Sequence, residues 1–98
     1  MIEAQNAMID MVPVPVADVR VETIEGELLL YHPQQTKAIY LNPTAAVIWS
    51  LCDGQRRIGE MIALIGESYP ESKERLTEDV LATIAQLRDG GVLSTGPG

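Results

Sequence analysis

The spacing of apolar residues along this chain changes period near its middle. Val19, Val21 and Thr23 alternate with Arg20 and Glu22, which is the two-residue period of a half-buried strand. Glu25-Gly26 predicts a tight turn, and the short apolar run inside Glu27–His32 (Leu28, Leu29, Leu30, Tyr31) predicts a second strand. Residues 33–36 close a hairpin, and Lys37–Leu41 forms a third strand with Ile39 and Leu41 on one face and Ala38 and Tyr40 on the other.

After Leu41 the period becomes helical. Asn42 is placed to cap a first turn, with Pro43 at the first helical position, where its missing N–H costs nothing. Ala45, Ile48, Trp49 and Cys52 then recur at i, i+3, i+4 and i+7, a buried helix face that stops near Gly54. Ile58, Met61, Ile62 and Ile65 repeat the spacing in a second helix limited by Gly66 and Pro70. A third and longest helix starts near Ser72, carries Leu76, Val80, Ile84 and Leu87 on one stripe, and ends at about Asp89 before Gly90-Gly91. Val92 and Leu93 are expected to fold back on the core. The fold class this predicts is α+β: a three-stranded antiparallel sheet followed by three helices, in one domain over residues 16–93.

Residues 1–15 show no period and end in Val12-Pro13-Val14-Pro15, so they read as a flexible N-terminal arm, and residues 94–98 read as a C-terminal tail. With 98 residues, one modest core is the limit. Apolar residues at 46% and charged ones at 21% are ordinary for a folded domain. The single cysteine, Cys52, excludes an internal disulfide framework and fits a reducing cytoplasm. The longest apolar run near the start, Met11–Ala17, is broken by Pro13 and Pro15 and is preceded by no basic stretch, so neither a signal peptide nor a membrane span is expected.

Charge narrows the partners. The net charge is −7, and the first 36 residues set Glu3, Asp10, Asp18, Glu22, Glu25 and Glu27 against Arg20 alone. A phosphate backbone is bound by clustered Lys and Arg, so nucleic acid is an unfavourable partner. A sheet meander with a helix-turn-helix pair would also suit a winged DNA-binding domain. The second helix, however, offers Glu60 and Glu67, and the third offers Lys73 and Arg75 followed by Glu78 and Asp79.

Candidate catalytic chemistry is sparse. Cys52 sits on an apolar helix stripe and reads as a structural thiol, while His32 adjoins Pro33 in a turn without a spaced metal-ligating partner. No phosphate-binding glycine loop, zinc-protease, hydrolase-elbow or EF-hand pattern occurs. Glu78 and Asp79 are consecutive on a helix and diverge by about 100°, which suits a solvated face better than paired acid and base work. Neither enzyme chemistry nor a metal or cofactor is expected.

The stretch Tyr40-Leu41-Asn42-Pro43-Thr44-Ala45-Ala46-Val47-Ile48-Trp49, then Leu51-Cys52-Asp53-Gly54, then Glu78-Asp79-Val80 with Gly90-Gly91-Val92-Leu93, resembles the PqqD family. The likeness spans about residues 16–93. It implies a winged helix-turn-helix-like, non-catalytic module that recognises the leader segment of a ribosomally made precursor peptide and delivers it to maturation enzymes. In the family the leader adds as a strand beside the third strand, in a groove walled by the third helix. Carried onto this chain, the edge is Lys37, Ala38, Ile39, Tyr40 and Leu41, and the wall is Arg75, Leu76, Asp79, Val80 and Thr83. The implied recipients are a leader peptidase with a macrolactam-forming synthetase, as in lasso peptide assembly, or a radical SAM enzyme of the kind that makes a redox quinone. Leu41-Asn42-Pro43-Thr44-Ala45 followed by a compact C-terminus resembles the short discrete members of lasso peptide assembly, which leans toward the first.

Other readings of the same residues stay open. Ile39, Leu41, Leu76 and Val80 suit a core as well as a groove. Lys37 suits an edge strand protected from aggregation, and Arg75 an ordinary solvated helix residue. A winged-helix DNA-binding regulator and a dimerisation module built on an unpaired strand edge are the alternatives from other classes.

Overall fold

The structure, a computed structural model, describes residues 8–34, 38–68 and 72–96. The chain runs β1 (Val12–Pro15), β2 (Arg20–Ile24), β3 (Glu27–Tyr31), β4 (Ala38–Leu41), α1 (Pro43–Leu51), α2 (Ile58–Ser68), α3 (Lys73–Asp89) and β5 (Leu93–Gly96). Strands β2, β3 and β4 form an antiparallel sheet in sequence order, and three helices follow it, as the periodicity predicts.

The β2–β3 hairpin turns through two residues. Glu25 (φ 52°) and Gly26 (φ 83°) both take left-handed backbone, the geometry of the primed turn whose twist matches the flanking strands. Register then fixes the faces: Val21, Leu30 and Ile39 lie in one row, Thr23, Leu28 and Leu41 in the next, and Leu29 faces Tyr40 on the other side. Leu30 and Leu41 are buried and Ile39 is half-buried, whereas Tyr40 is 62% exposed. The core therefore lies under β3 and β4. It stops short of β2, where all five residues are exposed and Val21 keeps 48% of its surface in water. The half-buried face expected for this strand is corrected: Val19 just before it packs against the core, but Val21 and Thr23 stay exposed.

The helices begin and end for reasons the sequence carries. In α1 the Ala45 N–H donates to Asn42 Oδ1 (2.7 Å), with Pro43 in the first turn. In α3 the Arg75 N–H donates to Ser72 Oγ (3.2 Å). The end of α3 is closed by two bonds, Gly91 N–H to the Arg88 carbonyl (3.0 Å) and Val92 N–H to the Leu87 carbonyl (3.2 Å). Gly91 at φ 78° supplies the left-handed residue that this cap requires, and buried Val92 packs back over buried Leu87. Helix α2 runs through Gly66 to Ser68, so that glycine is not its stop; the expected limit at Pro70 lies outside the described residues.

The two termini depart from expectation. The stretch read as a flexible arm contains β1, which pairs antiparallel with β5 in a separate two-stranded ladder, Val12 opposite Gly96 and Pro15 opposite Leu93. Pro13 is fully buried, and Met8, Ile9 and Met11 pack against the core. The Met11 carbonyl accepts from Ile58 N–H (2.9 Å), satisfying one of the free donors at the start of α2. Proline is tolerated because both strands of a two-stranded ladder are edges. The tail expected from residue 94 is likewise strand as far as Gly96. Residues 1–7 of the expected arm and 97–98 of the expected tail lie outside the described residues. No described helix is long and apolar enough to cross a membrane.

Candidate functional site

One side of β4 pairs with β3; among the described residues nothing pairs with its other side. The expected edge residue Lys37 lies outside the described residues. The rest divide by face. Ala38 and Tyr40 are exposed on the outer face, Ile39 is half-buried on the inner face, and Leu41 is 4% exposed and part of the core.

The expected wall divides in the same way. Val80 is fully buried and Leu76 nearly so, both inside the cluster formed with Ile48, Ile65 and Ile84. They support the core and present almost no surface to a peptide. Arg75 and Asp79 are exposed and Thr83 is half-buried. At 100° per residue these three follow one another along one flank of α3, and the same flank continues through Gln86 to Gly90. Three side chains set its polarity. The Thr83 hydroxyl donates to the Asp79 carbonyl (2.9 Å), and neither Arg75 nor Asp79 joins an ion pair among the described residues, where Arg56 with Asp53 (3.3 Å) is the pair formed.

Gly90 shows that this flank meets β4. A β-carbon built on Gly90 would collide with Ile39 Cδ1 and lie 3.3 Å from both Ile39 Cγ1 and the Gln86 carbonyl oxygen. Its φ of −77° is open to any residue, so what a side chain would meet here is Ile39, which would have to shift, and not a backbone constraint. Ile39 and Gly90 thus bring the end of the flank that carries Arg75, Asp79, Thr83 and Gln86 against β4. Sequence reasoning missed Gln86 and Gly90. The signal was available, since both continue the spacing of Arg75, Asp79 and Thr83 (i+11 and i+15).

The one thiol and the one imidazole have structural partners. Burial, with Asp53 nearby, pushes the Cys52 thiol up to about 12, and its Sγ donates to the Ile48 carbonyl (3.3 Å). His32 Nδ1 accepts from the Gln34 N–H (3.1 Å) and so serves the turn after β3. A surface hollow on the opposite flank of α3, between Thr77 and Glu78 on one side and Ile9 and Ile62 on the other, faces α2 and not β4.

Comparison with known proteins bears on the same region. Residues 27–93, from β3 to the first residue of β5, match the family described as coenzyme PQQ synthesis protein D (PqqD). A PqqA binding protein of Gluconobacter oxydans (strain 621H) is 34% identical over 59 residues, which are 60% of this chain and 62% of that protein. The chain therefore spans somewhat less than two thirds of the curated relative it matches. Two solved structures share the fold. TbiB1 in complex with the TbiA(beta) leader peptide superposes with a TM-score of 0.73 at 22% identity, over 83% of this chain and 94% of that one. The PqqD truncation of Methylobacterium extorquens PqqCD, described as a functional, stand-alone recognition element for ribosomally synthesized and post-translationally modified peptides, gives 0.70 at 24% identity, over 85% and 88%.

Proposed function

The chain belongs to the PqqD family, and from that premise we propose that it binds the leader segment of a ribosomally made precursor peptide as an added strand on the free edge of β4. The observation that carries this reading is the conjunction at Ile39: a strand edge with no partner among the described residues is touched by the end of a helix through a glycine. A peptide in extended form exchanges water for the unpaired N–H and C=O groups of Ala38–Leu41, and alternate side chains turn toward the helix. Ile39 and Thr83 offer apolar contact there, while Arg75 and Asp79 stand at the rim for polar groups. The role needs no catalytic group. Two relatives, a PqqA binding protein and TbiB1 in complex with a leader peptide, support it by analogy.

The recipient we favour is a leader peptidase with a macrolactam-forming synthetase in the cytoplasm; a radical SAM enzyme is the other candidate. Winged-helix DNA binding gains no support, because the exposed flank of α3 carries Asp79 as well as Arg75, and Glu78 lies beside it.

The test is a titration of the ¹⁵N-labelled full chain with synthetic leaders of the precursor peptides encoded beside this gene. The largest amide shifts are expected at Ala38–Leu41 and along Thr83, Gln86 and Gly90. Asp79→Lys with Thr83→Arg should leave the melting temperature nearly unchanged and weaken binding at least tenfold. Saturable binding whose shifts avoid β4 and α3 would overturn the groove, and salt-sensitive binding to duplex DNA without leader binding would overturn the reading itself.

A further inference from the structure

We propose that the free edge of β2 is a second docking surface, taken by an extended segment of a partner protein that carries Lys or Arg at alternate positions. The sheet has two edges, and β4 is the one that meets the end of α3 through Ile39 and Gly90. At the other, β2 pairs with β3 alone among the described residues, and all five of its residues are exposed. Val21 and Ile24 keep 48% and 44% of their surface in water. An uncovered strand with apolar side chains on both faces invites another strand.

The register states what that strand should look like. Val21 shares its face with buried Leu30, so a neighbour beside it continues an apolar row at the margin of the core. Glu22 lies on the opposite face, where it accepts from the Tyr31 hydroxyl (3.1 Å) and keeps a second carboxylate oxygen for a cation. The strand and its turns carry Asp18, Glu22, Glu25 and Glu27 against Arg20 alone, and all are exposed. An incoming strand with apolar residues on one face and basic residues on the other matches both rows; opposite charges across a strand pair stabilise it and like charges oppose it. Phosphate-bearing partners, nucleic acid or anionic membrane, are repelled by the same carboxylates. A second copy of this chain is disfavoured as well, because antiparallel self-pairing about the centre of β2 sets Glu22 against Glu22.

This surface does not depend on the leader reading, since it uses the other edge of the sheet. The probe is a capped hexapeptide of alternating Lys and Val, titrated into the ¹⁵N-labelled full chain, with the Glu-Val counterpart as control. Saturable amide shifts are expected at Arg20–Ile24, with Ala38–Leu41 unmoved and no response to Glu-Val. Raising salt from about 50 to about 300 mM should weaken the interaction severalfold, because the charges are exposed and screened. Glu22→Lys with Glu25→Lys should raise the dissociation constant at least tenfold while the circular dichroism spectrum is retained. Shifts at β4 in place of β2, equal binding of both peptides, an unchanged affinity in the double variant, or no saturation at low-millimolar peptide would each overturn the proposal. So would concentration-dependent dimerisation in sedimentation, which would assign the edge to a second copy.

Discussion

Replacing Gly90 by Ala tests the contact on which the groove depends. The new methyl would occupy space held by Ile39 Cδ1 and press on Ile39 Cγ1 and the Gln86 carbonyl at 3.3 Å. The backbone offers no objection at φ −77°, so the cost in the folded state is one of packing. Overpacking of this kind costs about 1–3 kcal/mol, while losing a glycine from the unfolded chain returns about 0.4–1 kcal/mol. A net loss of roughly 1–2 kcal/mol is expected, or about 4–16 °C in melting temperature for a domain near this size. The diagnostic is the dependence on Ile39. Ile39→Val removes the colliding Cδ1 itself, so Gly90→Ala should be close to neutral in that background, with a coupling energy of about 1 kcal/mol or more in the double-mutant cycle. Urea unfolding followed by far-ultraviolet circular dichroism reads all four proteins. Equal losses in both backgrounds, or none in either, would refute the claim that a side chain at Gly90 meets Ile39, and with it the contact that brings the end of α3 against β4.

Three further outcomes follow from other parts of the molecule. Glu25 holds a left-handed φ of 52°, which Asn tolerates far better, so Glu25→Asn should stabilise the hairpin by about 0.5–1 kcal/mol in thermal melts. Cys52, with its thiol pushed up to about 12, should resist iodoacetamide at pH 8 in the native state and react at an ordinary rate in urea; equal rates would contradict its burial. Asp53 accepts from the N–H groups of Arg56 (2.9 Å) and Gln55 (2.8 Å), which hold its carboxyl below the usual value. A depressed carboxyl stabilises the fold above its unfolded-state value and loses that contribution as pH falls through its lower folded-state value. Asp53→Ala should therefore destabilise at pH 7 and converge on the unsubstituted protein under strong acid, with a pH-independent difference counting against the linkage.

Legibility in the sequence followed the range of the interactions. Helices α1 and α3 were readable because their signals are local: Asn42-Pro43 and Ser72 at the starts, Gly90-Gly91 at the end, and a 3.6-residue apolar period between. The hairpin was readable for the same reason, from Glu25-Gly26. The β1–β5 ladder was not, because it joins Val14 to Ser94 across 80 residues and rests on a Val-Pro repeat that resembles an unpaired extended segment. At the groove the band of expected wall residues was one residue too wide. Period alone places Leu76 beside Arg75 and Val80 beside Asp79, but cannot say where the core stripe ends and the flank begins. Gly90 escaped notice because its position after the last apolar residue already explained it as a helix stop, a task that Gly91 performs.

The pairing of Val12 with Gly96 ties together two strands from opposite ends of the described chain. A truncation that removes either one leaves its partner an unpaired edge beside the buried Pro13 and Leu93, so neither strand can be trimmed as a dispensable tail.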